Sequence, residues 1–563
     1  AGGTWTNTAA NSPVTFRGGI TNNGTFNAGT GVHTFDTNAQ SLTGIIAISN
    51  VTVTGVTLTN NNTLTVSTAL EGTGGLTQAA NATLNIGGTS GIANLTATNT
   101  GNTVNYSGAA QTVKTTLYYN LSLSGSNTKT FGANTSIANN ISIATGVQAN
   151  LGTGLLHTAN TLYLNGVAQA ANTFGGTGSG AGVINTTYFT ATNGILNTLN
   201  NFWTGATDTN WHITTNWSKG TIPTASVPVI IPNVTNKPVI SASAVCSALT
   251  INIGSSVTLN GSNTLTISGN LSNAGTLTCN SGVVSLTGAF TNTGTVNVNT
   301  GTVNYSGAAQ NVLGINYYHL TLSGSGVKTL TTSTTALGGS LTLAGTATAT
   351  GVIGLTIGGD VVLGNGTTFT AGAFTHNVAG NWTNNGGTFT PGSGTVNFTG
   401  NSATVNGTAA SQTFNNITIN KASGQTLSFG GSTTTLNVGG AFTQTTGDFN
   451  APTTMAVTGV FTLNAGNYNA GANLNLSNNF VKNSSNFVAG AGTVSMLGTT
   501  SRSIGGTGET VFNKLIINNS GGVTLLNNQT VNDTIRLTSG RLTIGAYNLT
   551  LGSSANFAGT VNV

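Results

Sequence analysis

The chain has 563 residues, of which only 3% are charged, with twelve Lys and Arg against seven Asp and Glu; a typical soluble domain carries about 25%. The cations do not cluster, so the net charge of +5 does not indicate a nucleic-acid site, which would need a basic patch. Val, Ile, Leu and Thr are too abundant for a disordered chain and favour an ordered β structure.

Short runs in which apolar and polar residues alternate begin near the N-terminus and recur along the chain. Examples are TVT at 52–54 and TLT at 63–65, and the runs are bounded by Gly, Asn or Ser. This alternation is typical of β-strands. Thr-x-Thr pairs also suggest the hypothesis of ice binding. That function needs a flat array of threonines at the same position of successive repeats. In the sequence the threonine columns drift and alternate with Asn and Ser, which argues against that function.

One nonapeptide, TVNYSGAAQ, occurs at 103–111 and again at 302–310. Looser copies of the same element lie at 31–42, 394–405 and 492–500, and a pair of predicted strands follows each of the later copies. Self-similarity of this kind is the signature of a repeat architecture. We therefore interpret the nonapeptide as one structural repeat within a larger duplicated block.

Residues 201–238 break the repeat pattern and are the best candidate for a module boundary. They hold four of the seven prolines, and the preceding run at 162–197 reads as the end of a first module. We predict a first module at 1–200, a Trp- and Pro-rich boundary or cap at 201–238, and a second module at 239–563. Three tryptophans would cover an end of a coil or, alternatively, contact a glycan: Trp203, Trp211 and Trp217.

The two cysteines, Cys246 and Cys279, do not form a CxxC pair, so a zinc site is not indicated. The sequence is compatible with two alternatives: the cysteines are two buried free thiols, or they form a disulfide in an oxidising compartment. No run of 18 apolar residues indicates a membrane-spanning helix. No basic segment precedes Ala1, so we expect any signal peptide to have been removed or to lie outside this sequence.

Aromatic residues repeat at one fixed interval near the C-terminal end. Antiparallel sandwiches could produce regular short strands. They give no reason, however, for an aromatic residue at the same position of three successive repeats. In a β-solenoid, like residues stack on like residues from rung to rung. We therefore predict an all-β fold, a parallel β-helix with rungs of about 19–20 residues, in two consecutive modules. The predicted stacking residues are Phe442, Phe461 and Phe480, and Phe449, Tyr468 and Phe487.

The segments at 202–232 and 236–277, together with the block that begins GTVNYSGAAQ, resemble repeat-rich secreted surface proteins of Bacteroidota-type bacteria. The resemblance covers nearly the whole chain. It implies a large extracellular protein, often exported through the type IX route, that is adhesin-like or filamentous. The C-terminal sorting domain common in that group is not visible here, so we expect either a processed subunit or an excerpt of a longer chain.

Polysaccharide-cleaving β-helices need clustered carboxylates on neighbouring rungs, and the acids here are scattered. Asp208 and His212 form a close acid–histidine pair, and we interpret them as turn residues between tryptophans. We predict no enzyme activity, no cofactor and no metal site. The seven acids are Asp36, Glu71, Asp208, Asp360, Asp448, Glu509 and Asp533, and the histidines are His33, His157, His212, His319 and His376.

These features predict an extracellular structural protein, either an adhesin stalk or a self-assembling filament subunit. The last residues, NFAGTVNV, read as a strand without a charged or proline-bearing cap, so we expect head-to-tail self-association through terminal rungs. The alternative is a polysaccharide-binding or polysaccharide-degrading β-helix protein. Surface glycans are a possible partner, whereas nucleic acid and a membrane-spanning segment are not expected.

Overall fold

The structure is a computed structural model that describes residues 2–8 and 11–559. Its described residues form short β-strands and one 3-10 turn, Thr214–Asn216, without an α-helix. The strands coil in about 28 turns, and almost every strand pairs in parallel with the equivalent strand one turn earlier and later. The predicted all-β parallel β-helix is therefore confirmed.

The chain divides into two compact units, 1–238 and 239–563, which are called the first and second unit below. The predicted boundary segment 201–238 lies within the first unit. The largest sheet of the first unit runs, in spatial order, through Asn94–Thr96, Gly75–Gln78, Thr57–Asn60, Gln40–Val53, Thr63–Glu71, Thr83–Ile86, Thr103–Tyr106, Asn120–Leu123, Asn140–Ile143, Thr161–Leu164 and Val167–Ala168.

Shorter strands complete the first unit. Val14–Phe16, Ile20–Asn22, Val32–Phe35 and Thr89–Ser90 join the largest sheet at its sides, and Thr4–Thr6 pairs with Thr25–Asn27. The remaining strands are Gln111–Val113, Asn127–Phe131 and Val147–Asn150 in one sheet, Leu156–Thr158, Ile195–Asn197, Thr173–Gly175 and Val183–Ile184 in another, and the pair Asn201–Phe202 and Pro228–Ile231.

The second unit has three sides in each turn. We call its longest sheet face 1, and the five-stranded and eleven-stranded sheets face 2 and face 3. Face 1 comprises Ala244–Cys246, Thr264–Ile267, Val283–Leu286, Thr302–Tyr305, His319–Leu322, Leu341–Leu343, Val361–Leu363, Trp382–Asn384, Ala403–Gly407, Thr426–Phe429, Asp448–Asn450, Asn467–Asn469 and Asn486–Val488.

Face 2 comprises Gln310–Asn311, Ser325–Thr329, Thr346–Thr350, Thr368–Thr370 and Thr388–Thr390. Face 3 comprises Ala336–Leu337, Thr356–Ile357, Thr375–Val378, Thr395–Gly400, Asn416–Lys421, Phe442–Thr446, Phe461–Leu463, Phe480–Lys482, Arg502–Gly505, Val523–Leu525 and Leu542–Thr543. The earlier turns of the second unit contain two further sets of strands. One set is Val239–Ile240, Ser256–Leu259, Thr276–Thr278 and Thr295–Asn297, and the other is Ala248–Ile251, Leu271–Asn273 and Phe290–Asn292. Later turns add Ser411–Phe414, Thr435–Val438, Thr454–Val457, Asn473–Leu476, Thr493–Gly498, Thr510–Asn519, Gln529–Ser539, Leu549–Leu551 and Asn556–Gly559.

The core consists of vertical columns of apolar side chains. Alternation along each strand sends every second side chain inward, and the parallel register then places equivalent residues over one another. Burying each such side chain stabilises the fold by about 1.5–3 kcal/mol. One column of the first unit, in which every member is buried, runs through Leu64, Leu84, Val104, Leu121, Ile141 and Leu162.

The turns are less uniform in length than the sequence repeat predicts. Val104 pairs with Leu121 across a short turn, whereas Ile417 pairs with Phe442 across a much longer one. The register of the inward column is kept in both cases. The corners between faces therefore absorb the extra residues, as loops of repeat proteins usually do.

Glycine is required at one type of corner. Gly125 and Gly324 follow equivalent strands of the duplicated block and have φ of 78° and 73°. A Cβ atom at either position would lie within 2.3 Å of a backbone oxygen of the preceding turn. Only glycine combines this left-handed backbone with so close an approach.

The predicted aromatic residues form two ladders in the second unit. On face 3, Phe461 stacks between Phe442 and Phe480 with ring centroids 5.0 and 5.5 Å away. On face 1, Tyr468 stacks between Phe449 and Phe487, at 5.5 Å from each ring. The ladders meet inside the coil, where the Phe461 and Tyr468 rings are 5.2 Å apart and nearly perpendicular. Both arrangements are favourable for aromatic pairs.

We expect Phe461→Ala to lower the free energy of unfolding by about 3–5 kcal/mol, because it opens a cavity in the middle of both ladders. Urea denaturation would measure the loss. Thr462→Ala is the matched control, since the Thr462 side chain is outside the core on the same strand, and we expect a change within about 0.5 kcal/mol. Equal losses in the two variants would contradict a stabilising role for the ladders.

Candidate functional site

The repeated nonapeptide forms a corner held together by one buried glutamine. The Gln111 side-chain Nε2 donates hydrogen bonds to the Ile86 and Gly88 carbonyl oxygens, at 2.8 Å each. The Gly108 amide in turn donates to Gln111 Oε1 at 2.8 Å. The second copy repeats this arrangement through Gln310, so the corner has the same shape in both units.

A buried lysine from the next turn donates hydrogen bonds to each corner, and we call the corner together with this lysine a lysine corner. The Lys129 side chain is fully buried, and its Nζ donates to the Gly108 oxygen at 2.7 Å, to the Ala109 oxygen, and to Gln111 Oε1 at 2.8 Å. Three acceptors match the three N–H groups of an ammonium. Neither of the two ion pairs within the described residues involves this lysine.

Lys328 occupies the same position in the second copy and is also fully buried. Its Nζ donates to the Gly307 and Ala308 oxygens at 2.6 Å each, and to Gln310 Oε1 at 2.9 Å. Burial lowers the pKa of Lys129 to about 8 and also lowers the pKa of Lys328. The three acceptors around each Nζ atom are arranged to bind the protonated, ammonium form of the side chain.

A buried pair of tyrosines lies next to each corner. The Tyr106 and Tyr118 hydroxyl oxygens are 3.0 Å apart. Tyr118 donates to the Lys114 carbonyl at 2.6 Å, and the Lys114 amide donates to Tyr106 Oη at 2.9 Å. Tyr106 must therefore donate to Tyr118, which completes a chain of hydrogen bonds. Tyr305, Tyr317 and Leu313 repeat the network in the second unit.

Burial raises the pKa of these phenols, to about 12 for Tyr305. They are therefore neutral at physiological pH and serve as hydrogen-bonding groups, not as acids. The nonapeptide stands out in the sequence as a repeat, whereas the lysine and the second tyrosine were not predicted to belong to it. The signal was present, because both copies are followed by a Tyr 12 residues after the first Tyr and by a Lys 18 residues after the Gln.

The three tryptophans of the 201–238 segment form its buried core. Trp203, Trp211 and Trp217 are at most 2% exposed, and Trp217 packs edge-on against the other two at 5.0 and 4.6 Å. Trp203 Nε1 donates to the Asn236 oxygen at 2.7 Å, and Trp217 Nε1 donates to the Trp211 oxygen at 2.8 Å. The glycan-contact interpretation does not fit this geometry, because other residues cover the indole faces.

Asp208 and His212 lie in a turn next to this core. Asp208 accepts hydrogen bonds from the Asn210 amide at 2.8 Å and from the Asn216 side chain at 2.7 Å. Asn216 is buried and also bonds the Thr207 and Asp208 amides. These bonds give Asp208 the role of a turn residue, as its position in the sequence suggested.

The remaining chemical groups do not come together. Among the residues that the structure describes, no three His, Cys, Asp or Glu side chains are grouped so that they could hold a metal ion. Cys246 and Cys279 are buried free thiols, and burial raises the pKa of each to about 12. The described part of the chain has no helix that could span a membrane. The absence of enzyme activity stays a prediction.

Face 2 presents a regular array of threonines on its outer side. One column runs through Thr348, Thr368 and Thr388, and a second column runs parallel to it, two residues further along each strand. Rungs of a parallel sheet are about 4.8 Å apart and alternate residues about 6.6 Å apart. The threonines that drift in the sequence are therefore aligned here in two dimensions. The second column comprises Thr329, Thr350, Thr370 and Thr390.

Residues 202–535 match a family described as a domain of unknown function, DUF8693. The match covers more than half of the 563 residues, and the chain belongs to this family. No curated protein and no solved structure matches the chain. The family match spans the tryptophan core and most of the second unit, including the second copy of the lysine corner.

The buried histidines give a testable dependence on pH. Burial lowers the pKa of His33, His157 and His376, and a hydrogen bond to a backbone carbonyl offsets this only in part. His376 is held neutral, because its Nδ1 accepts from the Leu355 amide at 3.3 Å while Nε2 lies 2.9 Å from the Ala371 oxygen.

The unfolded chain therefore binds more protons than the folded one below a pH of about 6.5, so the stability falls as the pH drops below that value. We expect the melting temperature to hold near pH 7 and to decrease between about pH 6.5 and 5. In His376→Gln the melting temperature should be lower at pH 7 but change less with pH. An unchanged pH slope in that variant would contradict the assignment.

Proposed function

We propose that the chain is an extracellular structural protein, an adhesin stalk or a filament subunit built from stacked rungs. The observation that carries this proposal is the unbroken parallel pairing, which runs through thirteen strands on face 1 and eleven on face 3. Each turn contacts only its neighbours, so length is added without a new core. The resemblance to secreted surface proteins supports the extracellular location.

The outer surface suits such a role because neutral amides replace charges along it. Asn486 Nδ2 donates to Asn467 Oδ1 at 3.0 Å, and Asn467 Nδ2 donates to the Asp448 carboxylate one turn earlier at 3.1 Å. A column of like charges at this spacing would repel, whereas an amide both donates and accepts. Asparagine ladders thus bind successive turns to each other from outside.

The alternative, a polysaccharide-binding or polysaccharide-degrading β-helix, would need an exposed groove of aromatic and acidic side chains. The tryptophans that supported it are buried. No observation on the described residues favours this alternative over the structural role.

Self-association would use strand edges that lack a neighbour. Asn548 and Gly552 bond to the preceding turn, so the backbone groups of Leu549 and Leu551 point away from it. Within the described residues no strand covers that edge, and Leu551 is 47% exposed. The predicted terminal strand is present as Asn556–Gly559, and residues 560–563 lie outside the described part. An open edge of this kind pairs readily with a second copy of the chain.

We expect the purified protein to form fibres under negative stain and Leu551→Pro to form few or none, because proline removes an outward-facing N–H. Leu551→Ala is the matched control, since it keeps that N–H, and we expect it to form fibres. Circular dichroism would check that both variants remain folded. Short monodisperse particles of the unmodified chain, or equal fibre formation by both variants, would contradict edge pairing.

The threonine array on face 2 favours one second candidate function, ice binding. A flat two-dimensional array of hydroxyl and methyl groups is what such a surface requires. The array has no charged side chain on its outer side, because Lys328, the one lysine among its strands, is turned into the core.

We expect the protein to inhibit ice recrystallisation and Thr368→Tyr to abolish the effect, since a large ring at the centre of the array prevents close contact with a flat lattice. Thr443→Tyr is the matched control, because Thr443 lies outside the core on face 3. Unhindered ice growth in the presence of the unmodified protein would rule this candidate out.

A further inference from the structure

The two lysine corners hold a positive charge in the core without a negative partner. A buried ion without a counter-ion is costly unless hydrogen bonds replace its hydration. Here three carbonyl oxygens do so, at 2.6–2.9 Å for Lys328. The same arrangement recurs around Lys129, so it is a property of the nonapeptide corner and not of one local environment.

The acceptors are positioned independently of the lysine. Gln310 Nε2 donates hydrogen bonds to the Leu286 and Gly288 oxygens, at 3.1 and 2.7 Å. Gln310 Oε1 accepts a hydrogen bond from the Gly307 amide at 2.8 Å. These bonds fix which end of the amide faces the ammonium. The oxygens of Gly307 and Ala308 belong to the same corner. The oxygen cluster is therefore preorganised by its own residues.

The chemistry of the cluster selects its ligand. Carbonyl oxygens that replace a hydration shell suit monovalent cations such as K⁺, whereas Ca²⁺ and Mg²⁺ sites usually contain carboxylates. No carboxylate bonds to either lysine, since all their acceptors are carbonyl or amide oxygens.

We propose that each corner, formed by Gly108, Ala109 and Gln111 and by Gly307, Ala308 and Gln310, is a binding site for a monovalent cation of ammonium size. The lysine ammonium of the following turn is its resident ion. The site links two successive turns, because the oxygens belong to one turn and the cation is tethered to the next.

A third lysine shows what a less complete site looks like. Lys421 is buried, and its Nζ donates to the Thr399 oxygen at 2.7 Å and the Ala379 oxygen at 3.2 Å. In the equivalent position of the next block, buried Asn519 donates to the Thr500 oxygen at 2.9 Å. A neutral amide thus suffices where a single carbonyl is available, whereas both three-oxygen corners hold a cation.

The test removes the resident ion and supplies a free one. We expect Lys328→Ala to melt below the unmodified protein in choline chloride, and K⁺ or NH₄⁺ at equal ionic strength to restore at least half of the lost melting temperature. The recovery should grow with the logarithm of the cation concentration once the site fills. Lys514→Ala, which removes an exposed lysine, should respond identically to all three salts.

Equal melting temperatures of Lys328→Ala in choline, K⁺ and NH₄⁺ would overturn the proposal. A second measurement on the unmodified protein covers the case in which that variant does not fold. Mass spectrometry after brief treatment with an amine-reactive acetylating reagent should find Lys129 and Lys328 at least about 100-fold less modified than Lys514, whose side chain is 41% exposed. Comparable modification of these lysines would show that the ammonium groups do not occupy the oxygen clusters.

Discussion

The parallel backbone ladder is the constraint on which the rest of the structure depends. Almost every strand pairs in parallel with the turn before or after it, so equivalent positions of paired strands lie about 4.8 Å apart. This spacing rewards side chains that pack or hydrogen-bond with copies of themselves, which are aliphatic residues and aromatic rings inside and Asn, Thr and Ser outside. It penalises columns of like charge. The 3% charged composition follows from the same geometry.

The sequence could reveal the fold because the ladder imposes a period. The interval between Phe442, Phe461 and Phe480 equals one turn, and the three rings stack as expected. It could not reveal the length of every turn, since corners vary freely while the inward register is kept. The longer step from Ile417 to Phe442 shows this. The fixed period of the aromatic ladders is thus a property of particular turns and not of the whole chain.

The sites were harder to predict because their partners belong to different turns. Lys129 and Gln111 are 18 residues apart, and nothing local to either residue indicates a contact. The tryptophans of 201–238 were difficult to interpret for a different reason. An aromatic cluster in a polar segment is equally compatible with an exposed binding surface and with a small buried core. Burial decided between them. In each case the missing information is which residue lies above which.

The nonapeptide can occur twice because its buried polar side chains are hydrogen-bonded, so that the unit fits into a coil with an apolar core. Its glutamine satisfies backbone carbonyls of the turn below, its tyrosine completes a hydroxyl chain, and its oxygens hold the ammonium from the turn above. Replacing any one of these groups would leave buried partners unsatisfied, at about 1–3 kcal/mol each. The two complete copies satisfy these groups in the same way, with tyrosine hydroxyls 3.0 and 2.9 Å apart. A stack assembled from such units can be lengthened by duplication without redesigning its core.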